Sequence, residues 1–295
     1  MKKSLFFLFF LLASCSGELK TLPNSTGSLS EIIIVVDDGL WEQEIKDIVN
    51  ITLSSPIEGI NQNEANYKAI QINHPEFKSI LKTHKNIILI SPNANETSQK
   101  NKWAKEQLVF QLNASGDIRK KLEKIKKIFD VNEVKKIKRE ILKTANYEAQ
   151  ENIQKNFGIN VVIPKEYSII QDTINLFWGT YNPQKLEEIK HLIIYSFPPS
   201  LVNLQNEVLH KTDSVFSKYL LGATAGSYVR IETLYPPFFK NDIYRGLWKL
   251  ENGFMGGPFL IKTYYKEEKI IVAAAVIFAP QAQKRDYIKA VEAIL

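Results

Sequence analysis

The stretch FLIKTYYKEEKIIVAAAVIFAP, residues 259–280, holds two apolar runs on either side of Lys266-Glu267-Glu268-Lys269. Four consecutive charges between runs rich in β-branched and aromatic residues read as a hairpin tip joining antiparallel strands. The same texture continues upstream. SYVRIETLY (227–235) and IYRGLWKLEN (243–252) read as further strands, and INVVIP (159–164), YSIIQDTINLFWGTY (167–181) and HLIIYSFP (191–198) as three more. Between them, residues 200–220 place Leu201, Leu204, Val208, Val215 and Leu220 at helical spacing. RDYIKAVEAIL (285–295) closes the chain as an amphipathic helix.

The first half has a different rhythm. IIIVVDDG (32–39) is a continuous β-branched run, as expected for a strand buried on both faces. Asp37 and Asp38 then read as the cap and dipole-favoured acid of a helix over 40–51. Strands are expected over 67–72, 87–90 and 107–113, with a short helix over 75–82. Residues 115–157 are helical in pattern. The apolar stripe shifts between Phe129 and Val134, where Asp130-Val131-Asn132-Glu133 has capping-box spacing, so a break or a bend is expected there. Gly158 ends the segment. The fold class is α+β, with an α/β half over 31–157 and an antiparallel-sheet half with packed helices over 158–295.

MKKSLFFLFFLLASC (1–15) has two lysines, a nine-residue apolar run and the only cysteine. The run is about half the roughly 20 residues needed to cross a bilayer and fits the core of an export signal. Its end, Leu12-Ala13-Ser14-Cys15, resembles a bacterial lipobox. That resemblance implies a signal peptide over 1–14 and lipidation of Cys15, and Ser16 after the cysteine suits sorting to the outer membrane, with the fold on the periplasmic side or displayed at the surface. Residues 15–30, rich in Ser, Gly, Asn and Thr, read as a flexible tether. A lipidated cysteine leaves no disulfide and no thiol nucleophile.

The chain carries 38 Lys and Arg against 32 Asp and Glu. Residues 119–143 hold eleven of these cations and four acids, and read as a solvated helix face. Export argues against nucleic acid as a partner. No cofactor or metal is expected, because His74, His84, His191 and His210 are scattered without ligand spacing. No serine-hydrolase elbow, Walker loop or zinc-protease motif is present.

One segment concentrates recognition chemistry. Arg230, Glu232, Arg245, Trp248 and Phe254 crowd into residues 230–259 together with Gly256-Gly257-Pro258. In this reading Arg230 and Arg245 offer planar donors, Trp248 a stacking face, and FMGGPF a wall that a ligand approaches closely.

The phrases FGINVVIPKEY (157–167), GSYVRIETLYPPFFK (226–240), RGLWKLENGFMGGPF (245–259) and RDYIKAVEAIL (285–295) resemble the lipoprotein family known as domain of unknown function 4837. With LKTHKNIILI (81–90), the resemblance spans nearly the whole mature chain. It implies an envelope setting and brings no activity or catalytic residue. The order of elements is also similar to the Mog1/PsbP-like α/β/α sandwich, whose members are mostly accessory and binding proteins. The expected function is therefore a non-catalytic accessory or binding protein for an envelope partner or glycan. An envelope hydrolase without a recognisable motif and a structural spacer are the alternatives.

Overall fold

The computed structural model describes residues 21–200 and 203–295. The first half is built from β1 (Glu31–Val35), α1 (Asp38–Leu40), a π-helical turn Trp41–Ile45, α2 (Lys46–Thr52), β2 (Lys68–Ile72), β3 (Asn86–Ser91), β4 (Thr97–Lys100) and β5 (Leu108–Asn113). The strands form one sheet in the order β2-β1-β3-β5-β4, parallel except for β4. Alternation along β1 sends Ile32 and Ile34 to one face and Ile33 and Val35 to the other, and both faces are covered. This is why the run contains no polar residue.

α3 (Ile118–Leu142) follows as one unbroken helix, then α4 (Tyr147–Phe157). The expected break near residue 130 is absent. The acids that suggested a cap are turned inward instead: Asp130 accepts a hydrogen bond from the Tyr67 hydroxyl (2.8 Å), and Glu133 is buried. The stripe shifts because the helix changes partners. Leu122, Ile125 and Phe129 pack on the first sheet, whereas Ile141 packs on the core of the second half. The chain does break at residues 143–146, where Asn146 caps α4 through Ala149 N, and Gly158 ends α4 in the left-handed region (φ 71°).

The second half contains β6 (Ser168–Asp172), β7 (Leu176–Tyr181), β8 (Ile189–Phe197), α5 (Leu204–Tyr219), β9 (Tyr228–Ile231), β10 (Phe238–Lys240), β11 (Ile243–Glu251), β12 (Gly256–Tyr265), β13 (Ile270–Phe278) and α6 (Lys284–Ile294). The sheet runs β10-β11-β12-β13-β8-β7-β6, antiparallel throughout, with β9 sharing the outer edge of β11. α5 packs with the core on one face, α4 and α6 with the core on the other. Lys266 N donates to Lys269 O at the tip of the β12–β13 hairpin.

Four expectations are corrected. Residues 167–181 form a hairpin rather than one strand, turning at Thr173-Ile174-Asn175. INVVIP is buried but lies outside the sheet, its Val162 N donating to Ile294 O. Asp37 makes no side-chain cap; Asn73 accepts from Asp38 N instead (2.9 Å). Residues 21–30 are not a free tether. Thr26 exchanges backbone hydrogen bonds with Thr83 and Lys85, and Pro23 O accepts from Lys105 N. Gly27, at φ 94°, lies where any Cβ would strike the His84 ring. Cys15 and residues 1–20 lie outside the described residues.

α6 joins the two halves. Glu64, from the loop between α2 and β2, accepts from Lys284 N (2.7 Å) and Arg285 N (3.1 Å), capping the α6 N-terminus from across the chain. Further along, Lys289 pairs with Glu133 of α3.

A pH response is built into β8. Trp178 Nε1 donates to His191 Nδ1 (3.3 Å), and burial pushes the imidazole down to about 4 from its usual 6.5. The unfolded chain takes up a proton below about pH 6.5 and the folded chain only near 4. Stability should therefore fall as pH drops through that window, by up to about 3 kcal/mol. Urea unfolding across the window should show this slope, and His191→Phe should flatten it.

Candidate binding cleft

On the outer edge of β11, β10 pairs with residues 243–245 and β9 with 248–251. Residues 232–237 loop out between those two pairings, tied down by Glu232 N to Leu247 O (2.7 Å). Here lies a solvent-open cleft of about 400 Å³. One wall is Gly256-Gly257-Pro258 with the β11 residues Leu247 to Lys249. The rim carries Tyr235 and the fully exposed Phe254, and the loop before β2 supplies Asn61 and Gln62. A second depression of about 370 Å³ adjoins it, sharing Gln62, Pro280 and Lys284.

Glycines set the shape. Gly59 has φ 85°, and a Cβ there would lie 2.5 Å from Arg245 O, so its absence lets the loop carrying Asn61 and Gln62 rest on the β11 backbone. A Cβ on Gly257 would lie 2.2 Å from Ile277 O. With none, the Trp248 indole crosses and donates to that carbonyl (2.9 Å).

The five residues singled out from sequence divide. Glu232, Trp248 and Phe254 line the cleft; Arg230 and Arg245 do not. Arg230 is bound by Asp213 of α5 (3.1 Å) and Arg245 by Glu292 of α6, helices on opposite faces of the sheet. Both guanidiniums are paired with a carboxylate within the fold. Trp248 is 4% exposed and edge-on to Phe278, so its rings serve packing rather than a stacking ligand. The aromatic faces offered to solvent are those of Tyr235 and Phe254.

The cleft lining carries one carboxylate, Glu232, and two cations, Lys249 and Lys284. Lys249 lies 3.7 Å from Glu232, and Glu232 also accepts from Leu234 N (2.9 Å). Lys284 is buried, its ammonium spent on the carbonyls of Ala279 and Ala282. Sequence reasoning passed over Asn61 and Gln62. The signal was the amide-rich run Asn61-Gln62-Asn63 two residues after a glycine.

Fold and cleft together define an α+β protein with a glycine-walled surface cleft. Among the described residues, no group of three His, Cys, Asp or Glu could hold a metal, and no helix is long and apolar enough to cross a membrane. The chain belongs to the family described as Domain of unknown function (DUF4837), whose model matches residues 146–295. A second model, described as Domain of unknown function (DUF8532), matches residues 25–154. The LKTHKNIILI phrase thus falls in the second match, and the DUF4837 match covers the C-terminal half rather than nearly the whole chain. No curated protein and no solved structure matches the chain.

Proposed function

We propose that the protein is a lipid-anchored envelope protein that binds a neutral glycan in this cleft without chemical change. The observation that carries the reading is that the carboxamides of Asn61 and Gln62 share one cleft with exposed Tyr235 and Phe254. A carboxamide presents donor and acceptor side by side, matching neighbouring sugar hydroxyls, and an aromatic face suits the C–H face of a sugar ring. Glu232 and Lys249 face one another, and the buried Lys284 ammonium is held by two backbone carbonyls, so no charge is free for a ligand, which suits an uncharged one. The lining contains no Ser, Thr, Cys or His and one carboxylate, Glu232. Glycoside hydrolysis ordinarily uses two carboxylates, so the lining favours binding over the hydrolase alternative.

The test is a panel of neutral hexose and N-acetylhexosamine oligosaccharides. Binding should weaken roughly tenfold in Tyr235→Ala and in Phe254→Ala, with the melting temperature unchanged because both side chains are exposed. Shortened saccharides would point to the hydrolase, and no binding to the spacer. The anchor at Cys15, at the outer membrane with the fold on the periplasmic side, belongs to the same proposal. Cys15→Ser should abolish labelling by an alkynyl fatty acid, and persistent labelling would remove the anchor.

A further inference from the structure

Residues 23–26 run beneath the N-terminal ends of β3 and β5, bridging to His84 and Lys105. The chain therefore enters the fold between two short segments, 78–85 and 100–107. These sixteen residues carry six lysines (78, 82, 85, 100, 102 and 105) against one carboxylate, Glu106. That carboxylate is already paired with Arg139 of α3, and Lys136 donates to the Glu106 carbonyl. Burial lowers the Lys136 pKa, with Glu106 and Glu133 opposing the shift and the charges of Lys85 and Arg139 adding to it. Nothing within the two segments neutralises the excess.

The same face presents apolar surface. Trp103 is half-buried, packed edge-on against Phe77 (5.7 Å), with the Lys102 and Lys82 ammoniums 4.6 and 5.9 Å from its ring. Ile80, at the turn between Lys78 and Lys82, is 66% exposed. Lysines with long apolar stems, a tryptophan and a protruding isoleucine on one surface form the combination that settles at a headgroup layer, where anionic lipid attracts each cation. We propose that this face docks on an anionic bilayer surface and sets the orientation of the fold against it. The proposal uses only described residues and holds whether or not Cys15 is lipidated. With an anchor at Cys15, the few residues before Leu22 reach at most about 24 Å, which turns this same face toward the bilayer.

The experiment uses the full chain mixed with phosphatidylcholine vesicles, with or without phosphatidylglycerol, each carrying a nitroxide at headgroup level. Trp103 quenching is read as the difference between the chain and Trp103→Phe. We expect quenching on phosphatidylglycerol vesicles, lost at about 0.5 M salt and weakened roughly tenfold or more in Lys82→Glu/Lys102→Glu/Lys105→Glu. Salt dependence on the unaltered chain keeps the test decisive if that variant folds poorly. Unquenched Trp103 on vesicles that carry the chain would overturn the proposal. So would quenching that is equal on zwitterionic vesicles and indifferent to salt, or binding of soluble polyphosphate without vesicles. Failure of the anchor alone shows differently, as loss of flotation with pure phosphatidylcholine while phosphatidylglycerol binding persists.

Discussion

Glu133→Ala should cost about 3–5 kcal/mol of folding stability, the loss expected when one partner of a buried ion pair is removed. Glu133 is 1% exposed and receives three donors: Ser30 N (3.1 Å), Asn86 Nδ2 (3.0 Å) and the Lys289 ammonium. Lys289 is itself buried, with its ammonium 3.9 Å from the Tyr67 ring. Removing the carboxylate strands a buried cation and the Ser30 N–H, and leaves Asn86 Nδ2 with Glu31 O alone. The double variant Glu133→Met/Lys289→Met should recover part of the loss by removing the charge. It should not recover all of it, since Ser30 N remains unpaired at about 1–3 kcal/mol, while Asn86 Nδ2 keeps its bond to Glu31 O (3.2 Å). Urea unfolding of both variants measures this; a loss below about 1 kcal/mol in the single variant would show that the pair is solvated. The consequence reaches the cleft, because the pair holds α6, and Pro280 and Lys284 at its start line both depressions.

Gly257→Ala should cost about 3 kcal/mol, at the upper end of what overpacking usually does. The methyl would meet the Ile277 carbonyl at 2.2 Å. That backbone cannot retreat freely, since Ile277 is paired with Lys190 across β13 and β8. Any retreat also lengthens the hydrogen bond from Trp248, so tryptophan emission should change together with stability. Gly39→Ala is the matched control. It has open space around its Cβ and sits in α1, where alanine is favoured by up to about 1 kcal/mol. Equal effects at the two positions would contradict the packing account of the glycine wall.

Elements with strong local chemistry were legible in the sequence. Lys266–Lys269 turned a hairpin because four charges cannot sit in a core, and Gly158 stopped a helix because it tolerates φ 71°. Elements decided by distant partners were not. The 173–175 turn contains an exposed isoleucine and no glycine or proline, and its local marks, Asp172, Thr173 and Asn175, are weaker turn formers. INVVIP looked like a strand because it is buried, yet its backbone answers the end of α6. The tether reading failed at residues 21–30 because small polar residues suit a docked extended segment as well as a free one. In the cleft, one wall was visible as FMGGPF. The two arginines misled because their carboxylate partners, Asp213 and Glu292, come from helices whose placement no motif encodes. The carboxamide wall was hidden in a loop brought over by Gly59.

The central claim is that the cleft, and no other surface, receives the ligand. The most direct measurement is a two-dimensional NMR titration of the isotope-labelled chain with the oligosaccharide that binds best in the panel. Shifts should concentrate at the Asn61 and Gln62 side-chain amides and at the backbone amides of Tyr235, Phe254, Gly256 and Gly257. Saturable shifts centred elsewhere, for example on the Lys82–Lys105 face, with those six signals unmoved, would contradict the account.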